Sequence, residues 1–423
     1  MQKIEIKNFG TIRQVDLDIK DYTIFIGHQA SGKSTIAKLF YYFRKFNVEL
    51  VKLLSLPLGY NVATDEKITV DQLTVSDILQ RKLTCKTFRD YWHGVFLKQD
   101  FEVTYKYSDD THLTLSCRNG KLSANYSTDI IGLFEDSKKQ LINIRKQGKL
   151  KPDYYDSPEI IAYHNRLVNK ANTLFGDWNT KFVPAGRHVF PLLKNQPVFI
   201  DDILVKNFSP EIDHIRSEWE KNRNQDIDSP DTTKYKQVKK LVQSILKGNY
   251  SVNEDEEGIL PYNFSDVIPL VHASSGQQES LWVLLSILNT FYSDEKYSYI
   301  IEEPEAHLFP EAQRDMMYVL TYYANFRQNQ LMLTTHSPYI LTPLNNLLQA
   351  YILGQDESKR DRVAEIIDSD LWINPERFEC YYVDNGTIES IVDREVNMME
   401  LEKLDKASSI GNEEYDKLSE LED

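Results

Sequence analysis

The N-terminal part of the chain alternates apolar and polar residues and then becomes continuously apolar. The stretches KIEIKNFGTI and VDLDIKDYTIFIG have this pattern, which predicts three short strands, the last of them buried. A glycine-containing turn and the stretch KSTIAKLFYYFRKF follow, and this stretch predicts a helix. The beginning of the chain therefore predicts a strand–loop–helix unit of an α/β domain.

The middle of the chain predicts both strands and helices. Residues 91–126 have the alternation of antiparallel strands, with a turn at Asn119 and Gly120, whereas residues 131–177 have a mainly helical pattern. The stretch TKFVPAGRHVF predicts a short strand that ends in a turn. Residues 201–246 are polar, charge-rich and helical, with a break at DIDSPDT, and these features indicate an inserted helical arm.

Two later strands end directly at polar residues. The stretches SYIIEEPE and QLMLTTHSP each place an apolar strand before carboxylate or imidazole side chains. After about Lys359 the pattern predicts a small strand-containing segment, and from Asp393 an acidic tail that favours helix. We expect an α/β fold with a largely parallel sheet, in which ligands bind beyond the carboxyl ends of the strands.

Composition and charge narrow the class of protein. The 423 residues are enough for two or three domains, and the three cysteines, Cys85, Cys117 and Cys380, suit a reducing cytoplasm and give no metal-binding or disulfide pattern. No apolar run reaches the roughly 18 residues of a membrane span, and the N-terminus lacks the pattern of a signal peptide, so we expect a cytoplasmic protein. The net charge of −15 argues against tight nucleic-acid binding by this chain alone, although it leaves a local basic patch open.

A glycine-containing loop follows the third predicted strand. The stretch GHQASGKST has the pattern G-x-x-x-x-G-K-[ST] between an apolar strand and a helix, which is the context that a phosphate-binding loop (P-loop) requires. Its two glycines let the chain wrap tightly, so that successive amides point at an anion. Lys33 would reach the β- and γ-phosphates, and the hydroxyl of Ser34 would ligate Mg²⁺. The predicted nucleotide-binding residues are Gly27, His28, Gln29, Ala30, Ser31, Gly32, Lys33, Ser34 and Thr35.

Two adjacent carboxylates, Glu302 and Glu303, lie at the end of the apolar strand in YIIEEPEAH. In P-loop enzymes an acidic residue at this place holds Mg²⁺, often through water, and the next carboxylate can polarise the attacking water. We expect Glu302 to take the first role and Glu303 the role of general base. The alternative is that both are ordinary solvated residues at a strand end.

A histidine, His336, follows the next apolar strand in LMLTTHSPYIL. A lone histidine is more often structural than catalytic. At the end of a neighbouring parallel strand, however, a neutral imidazole could hydrogen-bond a γ-phosphate or the attacking water. We therefore expect His336 to be the other catalytic group, and we assign no role to His307.

A helix with a polar start precedes the carboxylate strand. In SSGQQESLWVLL, beginning at Ser274, two hydroxyl residues and a glycine open an otherwise apolar helix. The order of P-loop, polar helix start, acidic strand end and histidine resembles that of the ATP-binding-cassette (ABC) superfamily, whose signature is Leu-Ser-Gly-Gly-Gln. Ser274, Gly276 and Gln277 match this signature, whereas Ser275 replaces its first glycine and Ala273 its leucine.

The resemblance implies a role for this helix start in a second subunit. In ABC proteins the signature caps the γ-phosphate that the P-loop of the partner head holds, so two heads close around two ATP. The helix N-terminus and the serine hydroxyl suit that anion. The resemblance therefore implies ATP and Mg²⁺ as ligands, a dimer of heads, and Ser274, Ser275, Gly276 and Gln277 as residues acting in trans. The alternative is an ordinary helix N-cap at Ser274 or Ser275.

A narrower resemblance rests on IEEPEAHLFPEAQ followed by TTHSP, on FVPAGR, and on the opening IEIKNFGTI. These stretches resemble the OLD-type ATPases and the ATPase subunits of bacterial anti-phage systems such as Septu, Gabija and PARIS, and the opening also resembles RecF and SMC heads. This resemblance covers the head and implies an ABC-type ATPase head at 1–200 with 260–355 that includes an antiparallel β lobe. The residue pattern, and not this resemblance, predicts an inserted helical arm with connecting strands at 201–259 and a small C-terminal segment at 356–423.

The expected function is an ATPase that controls a separate effector, a nuclease, in anti-phage defence. Two alternatives stay open, namely a RecF/SMC-type ATPase that clamps DNA and a scaffold that binds ATP but hydrolyses it very slowly. Asp368 and Asp370 have only the letters of a Toprim nuclease metal site, and we expect no nuclease in this chain. Gln99 is a candidate for the Q-loop glutamine of ABC proteins. Basic residues of the arm could bind DNA or a partner, although a solvated helix face explains them more simply: Lys236, Lys239 and Lys240.

Overall fold

The computed structural model describes residues 2–55, 84, 86–92, 95–146, 158–193, 202–222, 232–252 and 256–400. It divides into two compact units. The first unit comprises Met1–Ile19, Thr35–Thr180 and Asn385–Thr387, and the second comprises Lys20–Ser34, Lys181–Asp384 and Ile388–Asp423. The predicted break at DIDSPDT lies largely outside the described residues, and the part of the acidic tail beyond residue 400 lies wholly outside them.

The secondary structure follows the predicted order of elements. Its strands are β1 Lys3–Phe9, β2 Ile12–Asp18, β3 Tyr22–Ile26, β4 Phe101–Lys106, β5 His112–Arg118, β6 Lys121–Tyr126, β7 Asn179–Val183, β8 Gly248–Val252, β9 Glu257–Pro261, β10 Ile268–Pro269, β11 Tyr297–Glu302, β12 Gln330–Thr335, β13 Phe378–Asp384, β14 Thr387–Ser390, β15 Val392–Asp393 and β16 Met398–Met399. Its helices are α1 Lys33–Ser55, α2 Thr87–Trp92, α3 Thr128–Lys146, α4 Pro158–Phe175, α5 Phe190–Leu193, α6 Ile203–Asn222, α7 Thr232–Leu246, α8 Ser275–Thr290, α9 Pro310–Asn325, α10 Leu341–Gly354 and α11 Glu357–Ile366. Among the described residues, none of these helices combines the length and the hydrophobicity that a bilayer span requires.

The first unit is built on an antiparallel sheet with the strand order β2-β1-β4-β5-β6. Alternation in β1 buries Ile4 and Ile6 on one face. An aromatic cluster closes one end of the sheet, where the ring of Phe9 lies 4.9 to 5.9 Å from the rings of Phe88, Trp92 and Phe101. These edge-to-face contacts explain why this lobe is rich in Phe and Trp.

The second unit contains a sheet with the order β14-β13-β3-β12-β11-β7. Strands β13, β3, β12 and β11 are parallel to one another, which confirms the prediction of a largely parallel α/β sheet. Strand β13 comes from the segment predicted to be a small C-terminal piece at 356–423, so the structure differs from that division. The carboxylate of Glu379 interrupts the apolar pattern of β13, and it is paired with Arg394 and with the hydroxyl of Ser390.

Helices α6 and α7 lie in the segment predicted to be an inserted arm, and the structure differs from that prediction too. Their apolar positions, such as Ile212 and Val242, belong to the core cluster of the second unit together with Trp282 of α8. Helical spacing of these residues gives each helix one buried face. The two helices therefore pack on the unit instead of projecting from it.

Candidate active site

The carboxyl ends of three neighbouring parallel strands carry the candidate groups. Strand β3 leads into the P-loop, β12 ends one residue before His336, and β11 ends at Glu302. Because β12 pairs in parallel with both β3 and β11, these three ends lie side by side. The register places Glu302 beside Thr334 and Ile26 beside Thr335. The topology therefore brings together the residues that the sequence predicted as catalytic.

The P-loop has the backbone that its sequence predicts. Gly27 has φ 152° and Gly32 has φ 112°, and Ala30 between them is also left-handed at φ 58°. A Cβ atom on Gly27 would lie 2.2 Å from the carbonyl oxygen of Val383 on β13, so only glycine fits there. Helix α1 begins at Lys33, directly after this turn, and this places a helix N-terminus beside the loop.

Lys33 is buried within its own loop. Its Nζ donates to the carbonyl oxygens of Gly27 at 2.8 Å and of His28 at 2.7 Å. Burial lowers the pKa of Lys33 to about 8, against the opposing effect of the Glu303 and Glu305 carboxylates. The ammonium is thus held by carbonyl dipoles that a phosphate anion could replace.

A chain of contacts joins the lysine to the predicted general base. Nδ1 of His336 lies 3.2 Å from Nζ of Lys33 and 3.0 Å from the carbonyl oxygen of Gly27. Depending on the tautomer, Nδ1 accepts from the ammonium or donates to the carbonyl. The other ring nitrogen, Nε2, lies 3.0 Å from Oε1 of Glu303. Lys33, His336 and Glu303 therefore form one continuous polar cluster.

The two strand-end carboxylates differ in environment. Glu303 has a left-handed backbone, with φ 44°, and its amide donates to the carbonyl oxygen of Thr334 at 2.9 Å. Glu302 is buried, and its Oε2 accepts from the amide of Ala185 at 3.3 Å. Its Oε1 has no hydrogen-bond partner among the described residues. A buried carboxylate oxygen without a partner is costly, and a divalent cation would satisfy it, so Glu302 fits the role of a Mg²⁺ ligand. Ser34, the other predicted ligand, is exposed in the first turn of α1.

The signature residues form a capped helix start. Ser274 is the N-cap of α8, its Oγ accepts from the amide of Gln277, and the Gln277 side chain accepts from the Ser274 amide. A Cβ atom on Gly276 would lie 2.7 Å from the carbonyl oxygen of His307. Ser274 and Ser275 are exposed, and within the described part of the chain none of the hydrogen bonds of Ser274–Gln277 reaches the P-loop. The structure thus contains the N-cap alternative and also leaves the helix start open to a partner.

Arg187, in the stretch FVPAGR, is an important residue of this region that the sequence reasoning did not identify. Its side chain is fully buried and reaches both the end of β11 and helix α8. Glu279 of α8 forms an ion pair with it, with 3.4 Å between Oε2 and Nε. The sequence places this arginine directly after a strand and a turn. Motif spacing alone does not show that it contacts residues far away in the chain.

The weaker candidates have structural partners. Oε1 of Gln99 accepts from the amide of Gly10 at 3.1 Å, so this side chain holds a turn of the first unit. Asp368 accepts from the hydroxyl of Tyr322 at 2.8 Å, and Asp370 pairs with Lys234 at 3.0 Å. Among the described residues there is no group of three His, Cys, Asp or Glu side chains that could hold a metal ion. These contacts give Asp368 and Asp370 a structural role.

Comparison with known proteins places the chain in a family. A family model described as an AAA ATPase domain matches residues 1–181 and 200–341. The chain belongs to this ATPase family. The chain is therefore an ATPase, as the resemblance of its motifs implied.

One curated relative is an OLD nuclease of Thermus scotoductus, 22% identical over 400 residues that cover 88% of this chain and 65% of the relative. The chain thus spans about two thirds of the length of that protein. Two distant likenesses among solved structures are SMC head domains. The one from Thermotoga maritima has a TM-score of 0.36 and 11% identity, with 92% of this chain and 97% of that chain covered. The one from Pyrococcus furiosus, bound to the C-terminal domain of ScpA, has a TM-score of 0.37 and 12% identity, with 98% and 99% covered.

The polar groups of this ATPase suit the hydrolysis of a phosphoanhydride. The reaction needs a cation for the phosphates, a ligand for Mg²⁺ and a base for the attacking water. Lys33, Glu302 and Glu303 have these three chemistries and lie beyond the carboxyl ends of β3 and β11, on the two sides of β12.

Proposed function

We propose that the chain binds ATP and Mg²⁺ at the P-loop and hydrolyses ATP there. The observation that carries this proposal is the contact chain from Lys33 through His336 to Glu303. Mg²⁺ would neutralise phosphate charge and would be held by Ser34 and by Glu302, whose Oε1 has no partner in the described structure.

Lys33, Glu303 and His336 would each have a different role in ATP hydrolysis. Lys33 would leave the carbonyls of Gly27 and His28 and donate to the phosphates. Glu303 would accept the proton of the water that attacks the γ-phosphorus, while the bond between that phosphorus and the ADP oxygen breaks. His336, whose Nε2 donates to Glu303, would orient the carboxylate, and its Nδ1 would accept from the ammonium of Lys33.

Two copies of the chain would complete each site. The supporting observation is the exposure of Ser274 and Ser275 at the N-terminus of α8, where the amides and the hydroxyl suit an anion. A twofold arrangement would pair each P-loop with the signature of the other head.

The head dimer would control a separate effector, a nuclease, in anti-phage defence within the cytoplasm. This rests on the resemblance of the motifs to defence ATPases and on the OLD nuclease relative, which is longer than the match.

Co-expression of the chain with the products of neighbouring genes tests this function. We expect ATP turnover, an ATP-dependent dimer in light scattering, and one co-purifying protein that cleaves nucleic acid. A chain that binds no nucleotide would refute the proposal. DNA binding that requires ATP and weakens with salt, without a co-purifying nuclease, would instead favour a RecF/SMC-type clamp.

A further inference from the structure

Among the described residues of the second unit, Arg187 is the most completely buried charged residue. Its side chain has no exposed surface, and burial lowers its pKa although four carboxylates oppose that effect. A buried guanidinium is rarely a good source of stability, since apolar residues of similar size can replace such ion pairs without loss. Its fixed fork of donors, in contrast, suits the precise placement of acceptors.

Two nitrogen atoms of the Arg187 guanidinium bind backbone carbonyl groups at the end of β11. Nη1 donates to the carbonyl oxygen of Glu302 at 2.6 Å, and Nη2 donates to that of Glu303 at 2.8 Å. Glu303 needs such support because its left-handed backbone is costly for a residue with a Cβ atom. The guanidinium therefore holds the peptide that points the Glu303 carboxylate at His336.

The third nitrogen atom, Nε, binds the helix α8 that begins with the signature residues. Nε donates to the carbonyl oxygen of Glu279 in α8 at 2.6 Å, one turn beyond the signature residue Gly276. The carboxylate of Glu279 accepts in return from the amides of Arg187 at 3.0 Å and of His188 at 3.3 Å. The loop around Arg187 and the first turns of α8 are thus tied together by side chain and backbone.

We infer that Arg187 is a positioning residue that couples the place of the signature helix to the orientation of the general base Glu303. A shift of α8 on meeting the phosphate of a partner head would move Arg187 and, through it, the peptide of Glu303. Each head would then hydrolyse its own ATP fastest while its signature is engaged. This inference rests on the proposed function, because the partner's phosphate is part of that proposal.

The variant Arg187→Lys tests the coupling because it keeps the charge and removes the fork. We expect turnover at saturating ATP to fall about 100-fold, as misplacement of a catalytic group by about 1 Å would cause. The dissociation constants for ATP and for the ATP-dependent dimer should stay within about twofold, since none of the hydrogen bonds of Arg187 within the described part of the chain reaches the P-loop. A purely structural role would lower turnover and ATP binding together.

A matched control is Arg216→Lys. Arg216 also forms an ion pair, partly buried, with 2.7 Å between its Nε and Oε1 of Glu257, and its guanidinium lies over the ring of Trp282 of the same helix α8. It makes no contact with the catalytic strand in the described structure. We expect this variant to keep wild-type turnover. Equal loss in both variants would overturn the inference, because it would reflect a general loosening of α8.

Non-additivity gives a second readout. If Arg187 acts through Glu303, the double variant Arg187→Lys with Glu303→Gln should be no slower than Glu303→Gln alone. Additive losses would overturn the inference. Should Arg187→Lys fail to fold, Glu279→Gln decides, since it keeps the size of the side chain and removes the negative partner. It should slow turnover about tenfold, and wild-type turnover would overturn the inference.

These results separate the coupling from the dimer proposal. If the wild-type protein stays monomeric with ATP, the proposed trans role fails. The comparison of Arg187→Lys with Arg216→Lys still decides whether Arg187 positions Glu303 within one head.

Discussion

The P-loop end of the sheet and the start of the signature helix belong to the same unit but differ in how their polar groups are used. At the P-loop, Lys33, His336 and Glu303 bond to one another and to loop carbonyls. At the signature, the side chain of the exposed Ser274 bonds, among the described residues, only to Gln277 in the capping box. In the first region the predicted catalytic groups of one chain contact one another. The second is an exposed helix start, which the proposed site shared between two chains requires.

The largest expected effect is the loss of ATP turnover when Glu303 is replaced by an isosteric amide, which keeps its contact with His336. Glu303→Gln keeps the hydrogen bond to His336 and removes the base, so turnover should fall by about 10² to 10⁴-fold. ATP binding should persist, and the ATP-dependent dimer should live longer. Steady-state phosphate release and light scattering measure both effects.

A carboxylate of the neighbouring helix provides the control for this variant. Glu311 is exposed in the first turn of α9, close in sequence to Glu303. Glu311→Gln should leave turnover unchanged. Wild-type turnover and dimer lifetime in Glu303→Gln would remove Glu303 from the role of base.

The next effect concerns the signature. Ser274→Trp should spare ATP binding by a single head and block closure of two heads, with turnover lower by about 100-fold because the trans donors of the site are lost. Equilibrium binding of a fluorescent ATP analogue and light scattering separate the two steps. Ser358→Trp, at an exposed serine near the start of α11, is the control and should behave as wild type. Normal ATP-dependent dimerisation of the Ser274 variant would contradict the trans role.

A smaller effect follows from the buried ammonium of the P-loop. Burial lowers the pKa of Lys33 to about 8 in the free protein, and a bound triphosphate favours the protonated form. ATP affinity should therefore be full below pH 8 and should fall by about tenfold per pH unit as the pH rises above it. Calorimetric titrations from pH 6.5 to 9.5 measure this, with thermal unfolding over the same range as control. Constant affinity above pH 8 would show that Lys33 is already charged there.

The smallest effect tests the packing of the signature. Gly276→Ala would place a Cβ atom 2.7 Å from the carbonyl oxygen of His307 and should destabilise the protein by about 1–3 kcal/mol. Gly132→Ala in helix α3 is the control, since a Cβ atom there meets nothing within 4 Å, and it should be neutral or stabilising by about 0.5–1 kcal/mol. Denaturant unfolding measures the free energy of unfolding of both variants. Equal values would mean that the backbone at His307 moves away from the added Cβ atom at little cost.

Sequence patterns predicted those features of the molecule that a short stretch of the chain determines by itself. The P-loop, the carboxylates Glu302 and Glu303, and the polar start of α8 each lie within a short stretch beside one strand or helix, and the structure has them where expected. The roles of these residues stay predictions, since contacts alone do not measure catalysis.

The contacts between distant segments could not be predicted in the same way. Arg187 is 92 residues from Glu279 and 115 from Glu302, so no spacing rule joins them. The place of β13 beside β3 depends on strand order, which is also non-local. The packing of helices α6 and α7, in contrast, could have been predicted from the sequence. The helical spacing of apolar residues such as Ile212 and Val242 gives each helix a face that is suited to burial.

Complementation between two impaired variants tests most directly whether the active site is shared between two chains. Lys33→Ala lacks a working P-loop but keeps its signature, whereas Ser274→Ala keeps its P-loop and removes the signature hydroxyl without adding bulk to the interface. Each alone should have low turnover, and mixing the two chains should restore turnover at one site of the mixed dimer. A mixture that stays as inactive as its components, while both chains remain folded, would contradict the account.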